Sequence, residues 1–185
     1  VDEGVPLVAG NIVLEIQRRT LEKPENYLGL ETEVRICEQM PAGESTGVDV
    51  PGQLWKRYHM ERASITANLN TAVEMGMSHG EGAAQNLFTY FAGGLVQNIP
   101  DRLQDSFVKR ELPAGEYIVC RVEAENFEDL VTAALDQAGK YLFGIWLPCH
   151  NLTTEPFSAE KYYRDLEGMA CMEIWVKPLP LKNKG

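Results

Sequence analysis

The final strand-like segment of the chain constrains the fold most, because an acidic residue alternates there with bulky apolar ones. Side chains of a β-strand point alternately to opposite faces of a sheet. Met172, Ile174 and Val176 therefore share one face, which we expect to be core, while Glu173 and Trp175 share the other. A carboxylate beside an indole could hold a hydrophobic cation or act as a general base. A half-exposed strand whose Glu173 faces water fits the pattern equally well.

Composition and charge narrow the classes of function. The chain has 185 residues, 44% of them hydrophobic and 24% charged, which is typical of a soluble globular domain. The net charge of −10 argues against nucleic-acid binding, since phosphate contacts need clustered basic residues. No apolar run could cross a membrane, and no signal peptide is evident. The four cysteines (Cys37, Cys120, Cys149, Cys171) are scattered, which predicts free thiols and a cytoplasmic protein.

Apolar spacing and turn residues predict two successive β-α-β-β units. Asp49 is expected to cap the first helix, and Asn126 the second, which carries a long apolar stripe and should end at Pro148. A short extended piece around residues 155–157 and an acidic, aromatic segment at 160–167 lead to the final strand. The other predicted strands lie at 12–18, 27–36, 71–77, 87–95 and 113–121.

The predicted fold is therefore α+β: duplicated β-α-β-β modules that form a curved antiparallel sheet with two main helices and a central cleft. We expect a single domain over 1–185, with pseudo-repeats at about 11–105 and about 106–181. Clefts between such halves are common sites for small ligands.

Two motifs that could indicate other chemistry lack the context they need. Gly76, Ser78 and Gly80 match the G-x-S-x-G nucleophile elbow, but glycines and a second strand follow where that motif requires a helix. The three histidines have no metal-ligand spacing, and no glycine-rich phosphate loop opens a helix. We therefore predict neither a metal nor a cofactor.

Aromatic and methionine residues are abundant near the predicted strands, and some of them could form a cage around a lipophilic cation. A buried glutamate among such rings would have a raised pKa unless a cation neutralised it. The predicted ligand-binding residues are Trp55, Met75, Tyr90, Trp146, Phe157, Tyr162, Glu173 and Trp175.

Several blocks of the sequence resemble the GyrI-like (gyrase-inhibitor-like) family, the effector-binding domain of AraC- and MerR-type transcription regulators. The resemblance covers roughly residues 13–181, with the blocks in the expected order. The blocks are Leu-Trp-Lys-Arg-Tyr at 54–58, Tyr-Phe-Ala-Gly-Gly-Leu-Val at 90–96, Leu-Pro-Ala-Gly-Glu-Tyr at 112–117, Trp-Leu-Pro at 146–148 and Met-Glu-Ile-Trp-Val-Lys-Pro-Leu at 172–179.

The resemblance implies a cleft for amphipathic, often cationic compounds, with a glutamate on the last strand as their charge partner. That glutamate corresponds to Glu173, and Trp175 corresponds to a pocket-lining position. Tyr90 and Trp146 correspond to aromatic positions near the cleft. Some similar stand-alone proteins hydrolyse cyclopropane-containing toxins with the same glutamate. The alternative to a binding protein is therefore a hydrolase that uses Glu173, Tyr90 and Trp146.

The name of the family suggests a second alternative: an inhibitor-type protein-interaction module whose acidic charge acts on a large partner such as a topoisomerase. The acidic residues are dispersed, which favours small-molecule binding over that role. No helix-turn-helix precedes the domain, so if the chain is complete we expect it not to bind nucleic acid directly. The short apolar runs predict no membrane association. A homodimer stays open.

Overall fold

The computed structural model describes residues 3–35, 49–65, 69–80, 87–163 and 170–181. It has an α+β fold, as predicted, in which nine strands form one curved antiparallel sheet and two short strands form another. The strands are β1 (Leu7–Ala9), β2 (Ile12–Leu21), β3 (Glu25–Arg35), β4 (Leu69–His79), β5 (Leu87–Val96), β6 (Val108–Leu112), β7 (Gly115–Ala124), β8 (Leu152–Thr154), β9 (Phe157–Tyr163), β10 (Ala170–Val176) and β11 (Pro178–Pro180).

The order of strands in the large sheet is β1-β2-β7-β10-β9-β4-β5-β3-β6. From β2 to β6 the order is symmetric about the junction where β9 pairs with β4. Each side of this junction holds three strands of one helix-containing module and, outside them, one strand of the other module. The outer strands are exchanged, because β2 precedes β3 in sequence but pairs with β7, while β6 precedes β7 but pairs with β3. Each half of the sheet thus depends on a strand from the other, and the expected repeat boundaries stay a prediction.

Both helices pack on one face of the sheet, here called the helix face. Cross-strand pairing puts Ile174, Glu160, Gly76 and Ala92 on this face. The opposite face is here called the far face. The residues directly before and after each of these four point to it, and it has its own core. That core consists of Tyr27, Met75, Met77, Phe91, Leu112, Tyr117, Val119, Ala159 and Trp175.

The first helix, α1 (Val50–Glu61), begins where the sequence predicts. The Asp49 side chain accepts a hydrogen bond from the Gly52 backbone N–H at 2.9 Å, which satisfies one of the free donors of the first turn. Leu54 and Tyr58 are the buried residues of this helix, and they pack against Leu30, Tyr90 and Ala92 of the sheet. The helix therefore covers β3 and β5.

The second helix is a continuous helical run over residues 127–149, capped by the Asn126 side chain as predicted. It is made of α2 (Phe127–Asp129), a π-helical turn (Leu130–Ala134), α3 (Leu135–Tyr141), a second π-helical turn (Leu142–Trp146) and α4 (Leu147–Cys149). Its buried side, including Leu130, Ala134, Ala138 and Leu142, packs on β7 and β10.

Pro148 does not end this helix, contrary to the expectation, because it lies inside its last turn. Proline lacks a backbone N–H and disrupts regular α-helical bonding. Just before it the backbone widens into the second π-helical turn, in which the Leu147 N–H bonds to the Leu142 carbonyl oxygen. The chain turns away only at Asn151, whose φ of 55° lies in the left-handed region.

The segment at 160–167 was not predicted as a strand, but its first part belongs to β9. The adjacent charges of Glu160 and Lys161 hide the alternation, because one points to each face of the sheet. Cys120, Cys149 and Cys171 are free thiols, as expected, whereas Cys37 lies outside the described residues. Within the described ranges, neither helix is long and apolar enough to cross a membrane.

Buried charges on the far face tie the β2–β3 hairpin to β9 and β10. Glu173, with 5% of its side chain exposed, accepts from the Arg19 guanidinium at 2.7 Å. It also accepts from Trp175 Nε1 and the Tyr163 hydroxyl, each at 2.9 Å. Lys161 Nζ lies 2.7 Å from a carboxylate oxygen of Glu25 and 3.8 Å from the centroid of the Trp175 ring. Each buried charge thus has an opposite partner, as burial requires.

We predict that Glu173→Gln lowers the free energy of unfolding by roughly 2 kcal/mol. Breaking a buried ion pair costs about 3–5 kcal/mol, and the effect is smaller here because a third of the Arg19 side chain still contacts water. Urea denaturation measures the change. The control is Glu116→Gln, an exposed position of β7, which should stay within about 0.5 kcal/mol of wild type. Equal stability of the two variants would contradict the role given to the Arg19–Glu173 pair.

Candidate ligand-binding groove

A groove of about 570 Å³ lies between the two helices on the helix face. It exists because each helix packs over its own half of the sheet, α1 over β3 and β5 and the second helix over β7 and β10. The junction between the halves, where β4 pairs with β9, is left uncovered. The floor of the groove is therefore formed by β4, β5 and β9.

The walls of the groove come from one side of each helix. Along α1, Gly52, Trp55, Lys56 and His59 line it at the spacing that brings residues onto one helical face. The second helix contributes Phe127, Val131, Thr132 and Leu135. The groove is thus lined mainly by rings and aliphatic groups, as is usual for small-molecule sites.

Glu160 provides the acid of the groove floor. Its carboxylate accepts a hydrogen bond from the Tyr162 hydroxyl at 2.8 Å and a longer one from the Tyr90 hydroxyl at 3.5 Å. The Trp55 indole N–H donates to the Tyr90 oxygen at 3.0 Å. Because that oxygen already accepts from Trp55, its own proton is directed towards Glu160. A chain of donors thus runs from α1 to the carboxylate.

The environment of Glu160 disfavours its charge. Burial among the rings raises the pKa of this carboxyl above its usual value, and the hydrogen bonds from Tyr162 and Tyr90 offset this only in part. The Trp55 and Tyr162 rings meet edge to face, with centroids 5.6 Å apart. Among the residues that the structure describes, no basic side chain forms an ion pair with Glu160.

A second acid near the groove, Glu74, is held very differently. It is fully buried, and its carboxylate lies 2.6 Å from His59 Nε2 and 3.2 Å from Arg62 Nη1. These contacts anchor the end of α1 to β4. Asp49 also lines the groove, but it is exposed and its carboxylate caps α1. Nowhere in the described ranges do three histidine, cysteine or acidic side chains come together as metal ligands. Glu160 is therefore the half-buried acid of the groove floor that has no basic partner among the described residues.

Of the eight predicted ligand-binding residues, the structure brings three together in the groove: Trp55, Tyr90 and Tyr162. Glu173 lies outside this groove, on the far face, where it is paired with Arg19, and its role in ligand binding stays a prediction. It lies there because of the alternation of β10, in which Ile174 and not Glu173 shares the face of the groove. Met75, Phe157 and Trp175 also lie on the far face.

Trp146 lies in the second helix but does not line the groove, because its side chain is buried in the core between that helix and the sheet. Its ring stacks on His150 with centroids 3.9 Å apart. The three residues expected to act together in a hydrolase are thus separated: Tyr90 is in the groove, Trp146 in the core and Glu173 on the far face.

A second cavity, of about 650 Å³, opens on the far face beside Phe157 and Met77. Its charged residues have both signs and include Lys109, Glu111 and Glu155. This balance favours no particular class of ligand. The helix-face groove, in contrast, combines the half-buried, unpaired acid Glu160 with several rings.

Glu160 and the wall of the second helix were missed by the sequence reasoning. The signal for Glu160 was present, since Ser158, Glu160 and Tyr162 alternate with Ala159 and Lys161 over β9. Reading that alternation as a strand would have put Glu160 and Tyr162 on one face.

Comparison with known proteins identifies the family. The sequence profile of the GyrI-like small molecule binding domain matches residues 16–177. The chain belongs to this family. No curated protein sequence matches the chain.

Solved structures with the GyrI-like fold are similar over nearly the whole chain. SAV2435 bound to tetraphenylphosphonium is 18% identical, with a TM-score of 0.63, and the match covers 92% of this chain and 97% of that one. An integron cassette protein from the mobile metagenome of Vibrio cholerae is 14% identical, with a TM-score of 0.58 and coverages of 90% and 95%. EcmrR in a complex with DNA is 11% identical, with a TM-score of 0.57 and coverages of 92% and 58%. At these identities the likeness shows the fold.

The raised pKa of Glu160 predicts a pH dependence of stability. In the unfolded chain the carboxyl loses its proton near the usual pKa of a glutamate side chain, about 4.3, whereas the folded protein holds that proton to higher pH. The folded state then binds more protons, so its stability falls as pH rises from the unfolded value through the raised pKa. Glu160→Gln removes this contribution. Urea unfolding from about pH 4 to 8 should therefore show the variant gaining stability relative to wild type as pH rises, and parallel curves would contradict the prediction.

Proposed function

We propose that this GyrI-like domain binds amphipathic organic cations in the helix-face groove, with the Glu160 carboxylate as their charge partner. The aromatic walls contact the apolar part of the ligand, and the cation lies near Glu160 with the rings of Trp55 and Tyr162 beside it. Cation–π attraction from these rings would add to the Coulomb attraction.

The observation that carries this proposal is the environment of Glu160. A carboxylate enclosed by Trp55, Tyr90 and Tyr162, with hydrogen bonds only from neutral groups among the described residues, is destabilised in its charged form. A bound cation would relieve that cost, whereas a neutral or anionic ligand would not. The groove therefore favours cations through the same burial that raises the pKa of its acid.

Two further points support the proposal. The groove volume of about 570 Å³ is within the range of pockets that hold drug-sized molecules, roughly 300–1,000 Å³. A protein of the same fold, SAV2435, has been solved with the lipophilic cation tetraphenylphosphonium. Glu173, the acid that the sequence first suggested, already has a cationic partner in Arg19 and is less suited to attract a second one.

We predict that Glu160→Gln weakens tetraphenylphosphonium binding by about 30-fold, or roughly 2 kcal/mol, because a desolvated cation loses its charge partner. Glu173→Gln is the matched control, the same substitution on the neighbouring strand but on the far face. It should bind with wild-type affinity. Isothermal titration calorimetry of the two variants, with folding checked by circular dichroism, measures both affinities.

Because Glu160 and Glu173 lie on opposite faces of the sheet, the two variants distinguish a ligand site in the groove from one on the far face. Loss of binding in Glu173→Gln alone would move the site to the far face and restore the expectation from the sequence. Absence of binding by the wild-type protein, with both tetraphenylphosphonium and a rhodamine dye, would overturn the proposed function itself.

A further inference from the structure

Gly76 lies directly beneath the polar centre of the groove. It is on β4, the strand between Tyr90 on β5 and Glu160 on β9, and it pairs with Glu160 across the β4–β9 junction. A β-carbon at this position would overlap the Tyr90 hydroxyl oxygen and would lie 3.0 Å from Cζ of the same ring and 3.4 Å from Glu160 Oε2. The tip of the phenol therefore occupies the space that any other residue would fill with its side chain.

This space is what allows Tyr90 to reach the acid. Neighbouring strands are about 4.8 Å apart, so a side chain from β5 must pass over β4 to contact one from β9. Residue 78, which pairs with Tyr90, is the small Ser78, and the next residue on that face of β4 is Gly76. The phenol crosses the strand at the glycine and meets Glu160 on the other side.

We propose that Gly76 is a specificity-determining residue of the groove, which sets the size of cation that can reach Glu160. The inference rests on the proposed function, since it concerns the ligand of the same site. Gly76 keeps the Tyr90 phenol down against the sheet, so the space above it is open to a bulky ligand. A side chain at this position would push the phenol up into the groove.

The consequence differs between ligands. A displaced Tyr90 would narrow the groove and also lose its contacts with Trp55 and Glu160. A bulky cation such as tetraphenylphosphonium needs the full width and would lose contacts on several sides. A small cation such as benzyltrimethylammonium could still approach the carboxylate, which remains in place on β9.

The test compares Gly76→Ala with wild type for these two cations by calorimetry or by ligand-observed NMR. We expect the dissociation constant of tetraphenylphosphonium to rise about tenfold or more, as overpacking of a filled site does. That of benzyltrimethylammonium should change by less than about threefold. The matched control is Gly80→Ala, directly after the same strand, where a β-carbon would meet no atom within 4 Å and binding should not change.

A double-mutant cycle tests the contact itself. Tyr90→Phe removes the oxygen that a β-carbon at position 76 would overlap, so adding Gly76→Ala in that background should cost tetraphenylphosphonium binding no more than about threefold. The same background keeps the inference testable if Gly76→Ala alone does not fold, because the main clash is then absent.

The outcomes separate this inference from the function on which it rests. Absence of binding by wild type would reject the proposed function. Binding by wild type with unchanged tetraphenylphosphonium affinity in Gly76→Ala would reject only the role of Gly76. Equal losses for the two cations, or equal losses with and without the Tyr90 hydroxyl, would also reject it, because size selection through Tyr90 would then be absent.

Discussion

The antiparallel pairing of β4 with β9 is the interaction on which the rest of the structure depends. It is the junction between the two halves of the sheet, and its register puts Gly76 opposite Glu160. Each helix covers the half to which it is connected, so this junction is the strip of the helix face that neither helix buries. The exchange of β2 and β6 between the halves restrains the junction further, since separation of the halves would also break the β2–β7 and β3–β6 pairings.

The alternation of side chains along each strand separates two acids on neighbouring strands, the buried Glu173 and the half-buried Glu160. Glu173 is opposite Lys161, and Ile174 is opposite Glu160, so the two carboxylates point to different faces of the sheet. On the far face, Glu173 meets Arg19, an indole N–H and a phenol, and its charge is fully compensated. On the helix face, Glu160 meets two phenols. A compensated charge stabilises the fold, whereas an uncompensated one destabilises the empty site and can be stabilised by a ligand.

The sequence predicted the α+β class, both helix caps and the division of β10 into an apolar face and a face with Glu173 and Trp175. It could not show which face of the sheet the helices cover, because both faces are buried and each contains large apolar residues. That is why Glu173 was expected in the cleft. The strand around Glu160 was hidden by the adjacent Lys161, whose burial depends on Glu25 and Trp175, residues distant in sequence. The exchange of β2 and β6 between the halves also depends on such long-range pairing, which periodicity does not encode.

The groove owes its shape to anchors that do not involve a ligand. The α1 wall is held by Leu54 and Tyr58, and the Tyr58 hydroxyl lies where a β-carbon of Gly94 would be. Glu74 holds the end of the same helix through His59 and Arg62. Two glycines thus have the same role: Gly94 lets the Tyr58 phenol lie close against the sheet, and Gly76 does the same for Tyr90. Walls fixed in this way leave little ordering for a ligand to impose, and less of its binding energy is then lost to conformational entropy.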